Sequence, residues 1–433
     1  MSSQSWVTKL YKWIVKSSEK EEGEQRSVAK NFLRLISAQF LTNTGDAIIN
    51  PKVTLPWLLQ SVGAPTFLVG WLVPIRESGS LLPQLFISSA MQRLKIRKWV
   101  WVLGSLIQAT CLVLMAVVAY ALEGLSAGLC IVLLLALFSL ARGLNSVATK
   151  DILGKTIPKS ERGQVTGLSA SAAGLVTIGI GVFMLFSDQL DWEHSGYFVW
   201  GLIIGGALWA VSAIIFSGLN EPESDTEESD FSIKGALKQL ALLKTDKAFR
   251  HFVMTRAFFL GTALSAPYYV LLAEKHIGDA IWVLAIFMVI SGLAGLLSGP
   301  FWGRFSDASS RKVLVSAATL GGLTGIILLG MVHFVPSVIG QVWVLPLFYF
   351  LLTVFHQGIR VGRKTYLVDM AEGNKRTSYT AVGNTAIGIL LLLLSLLGVL
   401  AEVVPLEVVI GLYSSITLVG VVMALRLPET SQS

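Results

Sequence analysis

Ionisable residues interrupt five otherwise apolar stretches of this 433-residue chain. Asp46 stands among Asn43, Asn50 and Lys52. Arg76 and Glu77 are adjacent, Arg142 precedes Asn145, Arg256 stands alone, and His356, Gln357 and Arg360 fall together. A charge at bilayer depth costs at least ~2.5–3.5 kcal/mol on insertion scales, so it normally faces a cavity or a partner. Two chemistries suit these residue types. A partly desolvated carboxylate can load and release a proton near neutral pH, and Asp46 and Glu77 are the candidates. Arginine suits recognition of carboxylate or phosphate groups. Tyr268, Tyr269 and Asn384 add hydrogen-bonding groups. The bland alternative is that Asp46–Lys52 or Arg76–Glu77 pair only to hold helices. Residues adjacent in sequence do not share a helix face, so each would need another partner. Arg256 and Arg360 have a bland alternative too, snorkelling to headgroups.

Bond-making chemistry is not expected. The five histidines are His194, His251, His276, His333 and His356, and no His-Glu-x-x-His pair occurs. Cys111 and Cys130 lie in apolar runs without metal-ligand spacing and read as packing residues. No cofactor or metal is implied.

The elements that carry these residues must be membrane spans. Hydrophobic residues make up 53%, charged residues 14%, and mean hydropathy is +0.67. Soluble domains carry about 25% charged residues. A bilayer-spanning helix needs ~20 mostly apolar residues. Twelve runs qualify, at 32–59, 66–90, 99–122, 126–148, 164–187, 196–219, 249–272, 280–303, 312–334, 340–362, 377–401 and 405–426. They are continuous rather than alternating, which favours helices over a barrel. The expected class is an all-α membrane protein.

Charge in the connecting loops orients it. One set carries Arg93, Lys95, Arg97, Lys98, Lys150, Lys155, Lys159, Arg162, Arg304, Arg311, Lys312, Lys364, Lys375 and Arg376. The other set has Glu123, Asp188, Asp191, Glu193, Glu402 and Glu407, with Lys275 its one basic residue. The basic side is expected to be cytoplasmic, with both termini inside a plasma membrane or bacterial inner membrane. The net charge of +7 is then an insertion signal, and no basic patch interleaved with aromatics points to nucleic acid.

Five segments follow: residues 1–30, 31–219, 220–248, 249–427 and 428–433. In the first, Trp6, Leu10, Trp13 and Ile14 share a helical face with Lys9, Lys12 and Lys16 around them. That pattern suits either a helix on the inner leaflet or a partly ordered tail. The 220–248 linker begins acidic and continues with Ile233, Leu237, Leu240 and Leu243 at helical spacing, predicting an amphipathic surface helix.

The two long segments repeat one another. Gly45 and Pro51 match Gly261 and Pro267 at an offset of 216; Lys98, Lys150 and Arg162 match Lys312, Lys364 and Arg376 at 214. Paired bundles of this kind build a central site in many transporters, and helices interrupted at matching positions point to it. Pro51 and Pro56 are expected to break span one, and Pro267 to break span seven at the matching place.

The loop Gly303-Arg-Phe-Ser-Asp307-Ala-Ser-Ser-Arg311-Lys312 resembles the signature loop of the major facilitator superfamily. Taken with twelve spans, two halves and a long central loop, the resemblance covers about residues 32–427. Gly303 allows close backbone approach. Asp307 can offer its carboxylate to a helix N-terminus and to Arg or Lys, as a conformational latch. The first-half copy departs: Ser89 and Arg93 replace the Gly and Asp, and only Arg97 and Lys98 keep their character. Arg142 in Leu140-Ala-Arg-Gly-Leu-Asn145 resembles the family motif linked to proton transfer. Span five lacks the Gly-Pro pair of drug/proton antiporters.

The resemblance implies two six-helix bundles in which spans 1, 4, 7 and 10 line the cavity. That places Asp46, Arg142, Arg256 and Arg360 around one aqueous space, and the three arginines suggest a substrate with a negative group. The expectation is a secondary active, proton-coupled transporter of a small organic solute, working by alternating access, with a monomer sufficient. The alternative is a flippase or exporter for an amphipathic or lipid-linked substrate.

Overall fold

The computed structural model describes residues 11, 22–158, 161–186, 194–224, 226, 240–370 and 375–429, and every regular element among them is helical. The surface helix expected near the N-terminus, and most of the linker helix, lie outside the described residues.

Ten helical stretches are long and apolar enough to cross a membrane. The chain is therefore an all-helical, multi-pass membrane protein. Each stretch coincides with one of the apolar runs, with shifted ends. The stretch matching the fourth run, Gly124–Thr156, is longer than expected, reaching Thr156 rather than residue 148. Its last two turns carry Lys150, Asp151 and Lys155, polar residues that an apolar-run reading leaves out.

The first two runs are not single long helices. Helix α1 covers Glu22–Ile48 and α2 covers Thr54–Ser61. Between them Pro51 cannot donate a backbone hydrogen bond. Asn50 organises the break: its side-chain oxygen accepts from Lys52 N at 2.9 Å, and its carbonyl accepts from Leu55 N at 3.0 Å. Pro56 sits harmlessly in the first turn of α2. The second run splits at Pro83 into α3, Val69–Leu81, and α4, Gln84–Gln92. Span seven is interrupted too, between α9, Lys247–Phe258, and α10, Gly261–Ile277. That corrects the expected position: the break lies ahead of Pro267, which α10 passes through. Gly261 starts α10 against the partner backbone, where a Cβ would stand 2.2 Å from the Tyr413 carbonyl oxygen.

The remaining helices of the first segment are α5 (Lys98–Ala121), α6 (Gly124–Thr156), α7 (Arg162–Leu185) and α8 (His194–Ser217). Those of the second are α11 (Ile281–Ala308), α12 (Ser310–Phe334), α13 (Val344–Met370), α14 (Lys375–Ser395) and α15 (Leu406–Ala424). In the first, α5 packs on α6 and α8, α1 on α7 and α8, and α3 on α6. In the second, α12 packs on α13 and α15, and α10 on the same two helices. The segments meet where α7 lies against α11 and α3 against α14.

The apolar core is divided. At the end bearing Glu123, Glu402 and Glu407, one cluster draws residues from both segments, among them Leu68, Leu72, Tyr268 and Ile387. Phe67 N donates to Glu402 Oε1 there at 2.8 Å. Gly70 and Gly398 let two backbones touch, since a Cβ on Gly70 would lie 2.7 Å from Gly398 Cα. At the basic end there are two separate clusters. One belongs to the first segment, around Phe32, Trp101 and Phe216; the other belongs to the second, around Phe249, Trp302 and Tyr366.

Each segment also ties up its own basic loop. Glu221 caps α5, accepting from Arg97 N at 2.9 Å and Lys98 N at 2.8 Å. Arg97 pairs with Asp151 at 2.6 Å, and Asp151 pairs with Lys155 at 2.5 Å. In the second segment Ser309 caps α12 and donates to Glu429 at 2.8 Å, while Arg311 donates to the Leu425 carbonyl at 2.8 Å.

Candidate functional site

The break in span one faces a cavity of about 330 Å³ between the two segments. Asp46, Asn50 and Lys52 reach it from the broken helix, Arg76, Glu77 and Ser80 from α3, and Arg142 from α6. Thr262 and Ala266 come from α10, Ser291 from α11, and Tyr349, Thr353, His356, Gln357 and Arg360 from α13. Of the four charges that the resemblance placed around one space, Asp46, Arg142 and Arg360 line this cavity and Arg256 does not; Arg76, Glu77 and Gln357 join them.

Asp46 has two partners, neither of them Lys52. Arg76 donates to Oδ1 at 2.5 Å and Arg142 to Oδ2. The three residues come from α1, α3 and α6, so one carboxylate joins three helices. Arg76 is buried and stands 4.9 Å from the centre of the Phe138 ring. Glu77 is different. It is accessible from the cavity and has no ion-pair partner within 4.0 Å among the described residues. It lies instead in the field of Arg360, Lys52, Arg363 and Arg142.

The charges do not balance. Four cations, Lys52, Arg76, Arg142 and Arg360, line the cavity with two carboxylates. Arg256 and Arg363 stand behind them, within electrostatic reach of Glu77. A small anion entering this space would complete the balance.

Other expected residues are placed elsewhere. Asn145 spends its amide on Ser105 at 2.7 Å and Gln108 at 3.0 Å, tying α6 to α5. Asn43 lines a second cavity of about 350 Å³ that shares Asp46 and Arg142 and runs toward Lys150 and Leu153 at the basic end. Arg256 is buried and donates to Asn384 at 3.1 Å. Tyr268 is buried against Tyr413 and the Gly70–Gly398 contact, away from the cavity lining. Gly303 lies on α11, and the side chain of Asp307 is outside the described residues. Arg311 and the Lys312 backbone bond within their own segment.

Arg363, Thr353 and Tyr349 were missed, yet their signal is present. Tyr349, Thr353, His356, Arg360 and Arg363 recur every three or four residues, a polar stripe on one face of α13. His356 is held by Thr262 at 2.9 Å across to α10.

Two short matches to enzyme motifs also went unread, and neither is in the site. Gly124-Leu-Ser126-Ala-Gly128 opens α6 at the end bearing Glu123, with Ser126 donating to the Glu123 carbonyl at 2.8 Å. A nucleophile elbow needs a strand-to-helix turn, and no strand occurs among the described residues. Gly154-Lys155-Thr156 ends the same helix without the earlier glycine of a phosphate loop, and Lys155 is held by Asp151.

The profile of the Major Facilitator Superfamily matches residues 35–300, more than half of the chain. The chain belongs to the major facilitator superfamily. As a member it is a secondary transporter, which moves its solute by alternating access and does no covalent chemistry on it. A curated relative, an uncharacterized MFS-type transporter of Methanocaldococcus jannaschii, is 24% identical over 384 residues, covering 85% of this chain and 89% of its own. A D-xylose-proton symporter superposes with a TM-score of 0.71 at 13% identity, over 93% of this chain and 99% of its own. A nucleoside transporter gives 0.67 at 13%, over 92% and 99%. At such identities the likeness establishes the fold of this transporter.

Proposed function

We propose that this transporter carries a small organic anion together with protons. It would do so through twelve spans in two six-helix bundles, with residues 31–219 forming one and 249–427 the other. The supporting observation is the positive excess around Glu77 in a cavity shared by both segments. While Glu77 is ionised it offsets part of the charge of Lys52 and Arg360. Once it is protonated, those cations lack a counter-ion and hold the carboxylate or phosphate of a solute. Proton and anion then load together. Asp46, held by Arg76 and Arg142, ties α1, α3 and α6 together. Proton symport on the same fold in the D-xylose-proton symporter accords with this reading.

In this reading the state described is open to the cytoplasm. The outer end is closed by a core common to both segments, and the basic end is where the cores part. The positive-inside rule puts that basic end, and both termini, in the cytoplasm. Asp307, Gly303, Arg311 and Lys312 would act as a latch in the opposite state.

The test uses proteoliposomes holding a pH-sensitive dye. A panel of carboxylates and phosphate esters is compared with cations and zwitterions. An inward anion gradient should acidify the lumen for one anion class. Glu77→Gln should lose that acidification while keeping anion-for-anion exchange. Acidification surviving Glu77→Gln would sink the coupling assignment.

One observation favours the flippase alternative. A cavity of about 290 Å³ between α2, α7, α8 and α11 is almost wholly apolar, with Leu55, Phe183, Trp200 and Met288 in its wall. Stabilisation of the purified protein by lysolipid, with none from any soluble anion, would move the assignment there.

A further inference from the structure

Where α9 begins and α15 ends, a groove of about 680 Å³ opens on the basic face. Lys247, Arg250, His251 and Arg426 line it, with Met254, Met423 and Pro428. Among the described residues no carboxylate does. The acids nearest in sequence are turned away: Asp246 caps α9 at Phe249 N and takes the Tyr379 hydroxyl, and Glu429 takes the Ser309 hydroxyl. Lys247, Arg250 and Arg426 are exposed, and His251 is fixed by a 2.9 Å hydrogen bond to the Met423 carbonyl. Among the described residues Arg250 reaches only backbone carbonyls, of Leu243 at 3.4 Å and Lys244 at 3.3 Å, and no carboxylate there offsets its charge.

The other segment shows what a filled version of this corner looks like. Where α1 meets the end of α8, the Asn31 amide donates to Asn220 O at 2.9 Å and accepts from Asn220 N at 3.0 Å. Arg34 donates to the Gly218 carbonyl. That corner is zipped shut by its own polar groups. In the second segment Pro428 has no N–H to give, and Arg426 adds a charge that Arg250 cannot pair with. The corner therefore stays open and cationic.

We infer that this groove is a binding site for the phosphate headgroup of an anionic phospholipid. Two observations select a lipid over a soluble anion. The groove lies at the ends of two membrane-crossing helices. Met254 on its wall is 42% exposed. Cations and apolar surface are therefore presented side by side, as a headgroup and its glycerol and acyl chains require. Basic pockets between spans on the inner face bind headgroups by this charge pairing. The site is separate from the central cavity, so the inference does not depend on the transported solute.

Native mass spectrometry of the purified full chain tests it, with phosphatidylglycerol and phosphatidylcholine in equal amounts. The wild type should retain phosphatidylglycerol preferentially. The triple variant Lys247→Gln, Arg250→Gln, Arg426→Gln should bind it on the order of a hundred-fold more weakly, at roughly fivefold per lost cation. Lys95→Gln, an exposed charge elsewhere on this face, should leave retention unchanged. A charge-keeping triple, Lys247→Arg, Arg250→Lys and Arg426→Lys, should retain the lipid, which guards against a folding defect in the first variant. Equal retention of the two lipids by the wild type would overturn the inference. So would undiminished retention by the glutamine triple. If glycerol 1-phosphate displaced phosphatidylglycerol at equal concentration, the groove would be a soluble-phosphate site and the lipid assignment would fail.

Discussion

Two carboxylates in one cavity do different work because their neighbours differ. Asp46 is held by two guanidinium groups, one of them buried. Replacing it with Asn leaves Arg76 without a counter-ion. Breaking such a pair costs ~3–5 kcal/mol when fully buried, and the partial exposure of Asp46 and Arg142 puts the expected loss near the low end. Thermal denaturation in detergent should show a marked fall in Tm for Asp46→Asn. Glu77→Gln should leave Tm within a few degrees, because Glu77 makes no direct ion pair among the described residues and the cations near it face the cavity. Equal losses in the two variants would contradict this division. That the buried charges cluster was legible in sequence, since each is costly in lipid. Their pairing was not: Asp46, Arg76 and Arg142 come from separate helices, and only the tertiary arrangement of α1, α3 and α6 selects among the cations. Arg363 shows a different failure. The Tyr349–Arg363 stripe has helical spacing, but attention to single buried charges passed over it.

At the scale of the element, the breaks matter most. Pro51 and Gly261 were readable as special positions, and both mark interruptions. The precise break in span seven was not readable, because it follows from how closely Gly261 meets the α15 backbone at Tyr413. The Gly70–Gly398 contact gives a direct prediction. A Cβ on Gly398 would lie 2.8 Å from Gly70 Cα, so Gly398→Val should force the outer ends of α3 and α14 apart. With Cys111 and Cys130 replaced by Ser, a cysteine at Ala266 should then label faster from the outer side than in the Gly398 background. No change in rate would mean that this contact does not hold the closed end. A second prediction concerns the caps. Glu221→Ala removes the acceptor for two backbone N–H groups at the start of α5, a loss of about 1–2 kcal/mol. Its Tm should fall, and Glu221→Gln should recover part of the loss.

For the whole molecule, the split of the apolar core sets which side has access. A cysteine at Gln357, on the cavity wall, should react with an impermeant thiol reagent applied to the basic side, and a bound anion should slow that reaction. Protection by cations instead would contradict the charge reading of the cavity. The repeat in the sequence announced two related segments, but not which end of them was joined; that depends on apolar residues meeting between segments, which no internal periodicity records. One consequence concerns temperature. The closed outer end is held largely by apolar burial across the two segments, an attraction of near-zero enthalpy that weakens as water is cooled. Opening that end exposes apolar surface and so raises the heat capacity. The balance between the two access states should therefore curve with temperature, and cooling should favour the state that faces outward. A transporter closed this way carries a thermometer in its gate, and its Arrhenius plot should bend even in a bilayer far from any lipid phase transition.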